Sequence, residues 1–273
     1  KKLIRNIKLG HDVDRSDNAS ERWKNMTMVA LGQSKMVKRP VAGFLHIIVY
    51  VGFVIINIEV IEIIIDGLFG THRVLSFMGG FYDVLIGSFE ILAFLVLITV
   101  IIFWIRRNVT KLGRFASSDL DGKPRNDANY ILYFEVVLMS LFLLMNAADF
   151  HLQNLGIGHY NQAGSFPISQ FIAPMFNGMS EGLVVIIERA AWWLHIAGIL
   201  VFLNYLYFSK HLHILLAFPN TYFADLNAKG KLNNLESVTN EVKLMMDPSA
   251  DPFAAPANPD AVPAKFGGSD VQD

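Results

Sequence analysis

Apolar positions in this chain gather into long runs separated by polar, turn-rich stretches. The runs cover about Val41 to Ile65, Val84 to Ile105 and Tyr130 to Ala148, and a fourth begins near Gly182 or Ala190 and ends around Phe208-Ser209-Lys210. Runs of this length suit helices that cross a hydrocarbon core of roughly 30 Å. Pro40 opens the first at a position a helix tolerates, and Asp66-Gly67 with Gly70 closes it. Arg106-Arg107 stops the second. The pattern predicts an all-α fold, an integral membrane helical bundle with four transmembrane helices in this chain.

The intervening segments are different in kind. Residues 1–38 are polar and basic, and from Glu21 to Val37 they space Trp23, Met26, Met28, Val29, Leu31 and Met36 among Lys and Arg. That spacing fits a short helix on the membrane surface as well as it fits a solvated connector. Lys111 to Asn129 is rich in turn residues. The 150–180 connection holds Gly, Asn, Gln and Pro with enough apolar residues to pack on the membrane face, and a loop of that length is usually packed or functional. The expected organisation is a basic segment over 1–38, the bundle over 39–218 and a cytoplasmic segment over 219–246. Residues 247–273 hold five prolines among Ala, Asp and Gly and read as a flexible linker, which implies something was meant to follow.

Composition strengthens the membrane reading: 53% of residues are hydrophobic and only 17% charged, against about a quarter in ordinary soluble domains. The net charge of -1 says little, but the placement of cations says more. Lys35, Lys38 and Arg39 precede the first span, Arg106, Arg107, Lys111 and Arg114 follow the second, and Lys210 follows the fourth, while Arg73 is the main cation on the other side. Cations in short flanks face the cytoplasm, so both ends and the 106–129 loop are expected there. Membrane lipid is an expected partner and nucleic acid is not. The chain has no cysteine, which excludes disulfides and iron–sulfur clusters held by this chain alone.

Candidate chemistry lies in the eight histidines. A lone His near a membrane helix is commonly a satisfied polar group, so spacing carries the case. His195 and His213 are 18 residues apart, about five turns on one face of a continuous helix and roughly 27 Å of rise. One imidazole would then sit near each membrane surface, as transfer through two stacked haems requires. His211 points about 200° away from His213. His46 lies one to two turns inside the first span, level with His213, and paired imidazoles at one depth typically bind haem. Gly43 and Gly52 flank His46 and would admit either a flat porphyrin or a neighbouring helix. For His195 the candidate partners are His72, with Arg73 beside it for a propionate, His151 or His159. A single-haem protein with His195 as a packed core residue stays open.

The first span also carries Glu59, Glu62 and Asp66, and ionisable groups at membrane depth are candidates for function. They fall on one face opposite His46, near 220°, 160° and 200° at about 100° per residue, and could form a proton path. The competing expectation is that Glu62 and Asp66 reach interfacial water or pair with Arg73 or Arg189. Glu90 and Glu135 in the next two spans are weaker candidates.

Two motifs carry a family resemblance. Trp192-Trp193-Leu194-His195 followed by Ser209-Lys210-His211-Leu212-His213 resembles the last transmembrane helix of the cytochrome b (gamma) subunit of respiratory nitrate reductase. It is more similar still to the membrane part of heterodisulfide-reductase-related iron–sulfur oxidoreductases. Arg39-Pro40-Val41-Ala42-Gly43-Phe44-Leu45-His46 is similar to the start of their second helix. The resemblance implies haem b, one or two, with His46 and His213 on the cytoplasmic haem and His195 on the outer one. Where the nitrate reductase subunit carries its other ligand, this chain has Ile56. It further implies quinone as substrate, a fifth helix before Lys1, and iron–sulfur clusters in a cytoplasmic domain after Asp273 or in a separate subunit. The setting it implies is a respiratory chain in a bacterial inner (cytoplasmic) membrane. Two other classes compete: a haem-free transporter or proton channel using the first-span carboxylates, and a membrane metalloenzyme with directly His-ligated metal.

Overall fold

The structure is a computed structural model that describes residues 2–10, 13–110, 112–115, 117–228, 230, 235–247 and 249. Among these every regular element is helical: α1 (Lys2–Ile7), α2 (Ala19–Met26), α3 (Pro40–Phe69), α4 (Gly80–Asn108), α5 (Lys123–Leu155), α6 (Ser169–Ile172), α7 (Glu181–Leu206), α8 (His213–Tyr222) and α9 (Glu236–Met246). Four of them, α3, α4, α5 and α7, are long and apolar enough to cross a membrane, at 30, 29, 33 and 26 residues. They outrun the apolar runs because their stop signals lie further out. α3 continues until Gly70 takes a left-handed conformation, φ +68°, and α5 starts at Lys123, with a proline in its first turn, and ends at left-handed Gly156. Glycine at that position is a common helix stop, since it enters the left-handed region without a Cβ clash.

The chain clusters into two units, residues 28–218 and residues 1–27 with 219–273. In the larger unit α3 packs on α4, α4 on α5 and α5 on α7. Among the described residues α3 and α7 make no comparable interface, although Trp192 of α7 lies against Gly67 of α3. Ile56, Ile63, Ile86, Phe89, Val96, Leu138, Phe142 and Ile196 fill the centre. The outer faces are apolar as well, with Val54, Ile61, Phe94, Ile98, Val137, Ile186 and Leu200 exposed. Helices apolar all round need something apolar to cover the outer face.

In the smaller unit α2 stops at Met26 and passes into a π turn, so the 21–37 stretch is not one surface helix. Arg22 is buried: its guanidinium donates to Asp17 and to the carbonyls of Tyr222 and Ala224. His11 and the Pro/Ala-rich stretch, apart from Asp247 and Ser249, lie outside the described residues.

One expectation about the bundle is corrected. His195 and His213 do not share a helix. α7 ends at Leu206, Ser209 is extended, and its hydroxyl accepts from the His211 N–H to start a 3-10 turn over Lys210–Leu212. Ser is a strong helix-starting residue because its side chain satisfies an otherwise unpaired N–H, and here that restarts the chain in a new direction. Of the two readings open for Gly43 and Gly52, the contacts they make support close packing. A Cβ on Gly43 would stand 2.5 Å from the Met36 carbonyl oxygen, and one on Gly52 would stand 2.5 Å from Val96 Cγ2. Gly52→Leu is therefore expected to force α3 and α4 apart and cost about 1–3 kcal/mol. The check is a lower thermal unfolding midpoint in detergent, with Ile61→Leu on the exposed face of α3 leaving it unchanged.

Candidate functional site

A cavity lies at each end of the bundle. At the first end a cavity of about 690 Å³ is lined by Ala42, His46 and Val49 of α3, Val100 and Phe103 of α4, Ile131, Leu132 and Glu135 of α5, and His211 and His213 beyond α7. Its wall is apolar, while Lys35, Lys38, Arg39, Arg106, Arg107 and Lys210 also contribute to its lining. Arg107 Nε is buried there with no hydrogen-bond partner, although its guanidinium lies over the Phe115 ring at 5.4 Å. The volume lies within the range of about 300–1,000 Å³ usual for small-molecule and cofactor sites. The structure thus brings His46, His211 and His213 to one cavity through the turn, without the continuous helix that the spacing suggested.

That turn is anchored from α5. Asp127 accepts from Tyr205 Oη at 2.6 Å and from the Lys210 backbone N–H at 3.0 Å, and Lys210 Nζ donates to the Pro124 carbonyl at 2.9 Å. His213 Nδ1 lies 3.1 Å from the Lys210 carbonyl. A carbonyl only accepts, so Nδ1 carries the proton and Nε2 keeps its lone pair, the arrangement usual for a metal-ligating imidazole. Burial, with His213 nearby, pushes the His211 imidazole down to about 4, so it is neutral at physiological pH.

His195 is placed apart. It is buried in α7, packs against Phe142 at 5.8 Å, and its Nδ1 donates to the Leu138 carbonyl at 2.9 Å. Its Nε2 is left as the acceptor, as in His213. His195 lines neither cavity described here. His151 packs against Phe176.

The second cavity, about 290 Å³, lies at the opposite end between the last turns of α3 and the first half of α7. It is built around Arg73, which sits in the α3–α4 turn at φ +55° and is 7% exposed. Its guanidinium donates to Asp149 Oδ2 from Nε at 3.0 Å and from Nη2 at 2.8 Å, to Asn146 Oδ1 at 2.8 Å and to Glu59 Oε1 at 3.3 Å. Burial opposes the charge, yet Asp149, Tyr82 and Glu59 hold the Arg73 pKa well above its ordinary value. His72 Nε2 donates to Asp149 Oδ1 at 3.0 Å, and its ring meets His159 and Tyr160. The structure does not place His72 and His195 on a common cavity.

The three α3 carboxylates have separate tasks. Asp66 accepts from the Arg73 and Val74 N–H groups and fixes the turn, while Glu62 accepts from the Leu75 N–H and Tyr82 Oη. Glu59 is 1% exposed and pairs with Arg73 through Oε1, but Oε2 is buried without a partner. Glu62 and Glu59 are thus both buried, and neither Glu62 nor Asp66 is the acid that meets the Arg73 guanidinium. Asn146 Nδ2 passes the network on to Glu90, which also accepts from the Ile168 and Ser169 N–H groups and the Ser169 hydroxyl. Glu188 pairs with Arg189 and accepts from Tyr160 Oη. Asn146, Asp149 and Gln153, which the sequence reading missed, stand three and four apart in an apolar run, a polar stripe on one helix face.

No family model and no solved structure matches the chain. It is similar to the probable iron-sulfur-binding oxidoreductase FadF of Bacillus subtilis (strain 168), 32% identical over 237 residues, covering 87% of this chain and 32% of that protein. It is also similar to the EtfAB:quinone oxidoreductase of Syntrophomonas wolfei subsp. wolfei (strain DSM 2245B / Goettingen), 25% identical over 232 residues, covering 82% of this chain and 31% of that protein. The chain spans about one third of the length of these curated relatives. Both relatives are oxidoreductases, one named for iron–sulfur and the other for quinone, and the likeness fits electron transfer in general.

Removing Arg73 tests the network. Arg73→Met leaves Asp149 and Glu59 buried without their cation, and a broken buried pair costs about 3–5 kcal/mol. The expected result is a matching loss of unfolding free energy, partly recovered when Asp149→Asn is added.

Proposed function

We propose that this chain is the membrane-inserted, b-type cytochrome part of a quinone-linked oxidoreductase, exchanging electrons between membrane quinone and a cytoplasmic iron–sulfur domain or subunit. The observation that carries the reading is the first cavity, where His46 and His213 line one apolar space with a cationic rim. A porphyrin is apolar across its plane and anionic at its propionates, and that donor set fits it. His46 and His213 would supply the imidazoles, Val49, Val100, Phe103 and Ile131 would cover the ring, and Arg39, Arg106 and Arg107 would face the carboxylates. The unpartnered Arg107 Nε is a buried donor that an anion would satisfy. Haem bound there supplies one-electron chemistry whose potential follows its axial ligands. The chain's part is to hold His213 by its Nδ1, through Lys210 and Asp127, and to keep water from the ring.

His195, with Nδ1 held by Leu138, is the candidate ligand of a second haem. His72, the partner the sequence suggested for it, donates from Nε2 to Asp149 and lines a different part of the bundle from His195. Lipid would cover the exposed apolar faces of α3, α4, α5 and α7, with the Lys- and Arg-bearing end toward the cytoplasm. Quinone and iron–sulfur partners are supported by the relatives' names alone. One feature weighs against a channel or proton path: the α3 carboxylates are tied to Arg73, Leu75, Tyr82 and the turn N–H groups instead of standing as a free relay.

A reduced-minus-oxidised spectrum of the purified protein is expected to show a b-type haem; its absence sinks the reading and favours a transporter. His46→Ala and His213→Ala are each expected to remove the same haem, and His211→Ala to leave haem content unchanged. Full haem content in the His213→Ala protein would show the pairing to be wrong.

A further inference from the structure

The second cavity has no task in the haem reading, yet it contains an unsatisfied group. Glu59 Oε2 is buried and unpartnered on the wall of a space of about 290 Å³. A buried acceptor without a partner is uncommon, because leaving it unmade costs its full desolvation. The neighbouring carboxyl oxygens differ: both Glu62 oxygens accept hydrogen bonds, from the Leu75 N–H and Tyr82 Oη, and both Asp149 oxygens are taken by His72 and Arg73. The opposite wall is aromatic, with Trp192 beneath Arg189 and crossing α3 at Gly67, where a Cβ would stand 2.6 Å from the indole. Gly67 and Trp193 also line the cavity and are exposed on the apolar outer surface. The space therefore joins a buried hydrogen-bonding acid to an aromatic wall, with Gly67 and Trp193 where its lining meets the exposed apolar surface.

We propose that this cavity binds the ring of a membrane quinol, with Glu59 Oε2 taking the hydrogen bond from one ring hydroxyl and the tail leaving past Gly67 and Trp193. This rests on the quinone-linked reading above and adds the location and the polar contact. A single substituted ring suits a volume at the low end of ligand sites, the indole offers it an apolar face, and Arg73 holds Glu59 Oε1, which leaves Oε2 as the oxygen without a partner. A quinone has ring carbonyls in place of hydroxyls and cannot donate to Oε2. An ionised Glu59, which can only accept, thus distinguishes the reduced from the oxidised form.

Glu59→Gln tests this in the full membrane protein in lipid nanodiscs. With the amide oxygen on Arg73, the amide NH2 faces the cavity and turns an acceptor into a donor. Titration calorimetry with a short-chain 1,4-benzoquinol and with its quinone is expected to show tighter quinol binding by the unaltered protein. Glu59→Gln should lower the quinol-to-quinone affinity ratio by about tenfold or more, the loss of one charge-assisted hydrogen bond. Ile61→Leu, on the exposed face of α3 and outside the cavity lining, is expected to keep the ratio. If Glu59→Gln does not fold, the unaltered protein still decides: equal affinity for the two forms overturns the proposal. Quinol binding that ignores Glu59→Gln overturns this site and leaves the quinone-linked reading intact, whereas no quinol binding at all overturns both. The haem spectrum, read in parallel, reports on the cytochrome reading independently.

Discussion

A guanidinium inside an apolar bundle is tolerated only when its charge and its hydrogen-bonding hydrogens are met, and Arg73 organises one end of this molecule on that condition. Asp149 takes two of its bonds, while Asn146 and Glu59 take one each. These partners come from α3 and α5, and Arg73 itself from the α3–α4 turn, so one charge locates three elements. Asn146 extends the set to Glu90, which holds the backbone of 168–169 against α4. The long connection after α5 is thereby fastened by polar contacts, while its Phe166 ring lies against the guanidinium at 5.2 Å.

The opposite end is organised by different chemistry. There the cations line a wide apolar cavity and find few acidic partners, while histidines approach from α3 and from the turn after α7. Asp127 does for that turn what Asp66 does for the α3–α4 turn: a carboxylate accepts backbone N–H groups and sets the direction of the chain. Both ends thus use a half-buried acid to set the course of the chain through a turn. The helices pair α3 with α4, α4 with α5 and, most extensively, α5 with α7.

The spans were legible because lipid-length apolar runs are a property of the chain itself, independent of partners. Their ends were less so, since Gly70, Gly122 and Gly156 act through backbone conformation and not hydropathy. The break after Leu206 was visible in principle, as Ser209 is a helix-starting residue, but the apolar residues around it hid the signal. Of the site, His46 and His213 were nameable by spacing and resemblance, although the five-turn argument assumed a helix that stops short. Asn146 and Asp149 went unnoticed because a polar side chain in an apolar run has no meaning until its partner is known.

The sequence by itself determined that this is a bundle of four long apolar helices, where its cations concentrate, and which residue types could bind haem or carry protons. Those properties follow from composition and order along the chain. Only the tertiary structure decided that Arg73 meets Asp149 and Glu59 instead of Glu62 or Asp66, and that His211 and His213 turn into the His46 cavity. It also decided that one oxygen of Glu59 is buried without a hydrogen-bond partner. Hydrogen bonds reach only about 3 Å and have direction, so which groups pair depends on how helices far apart in sequence come to lie side by side.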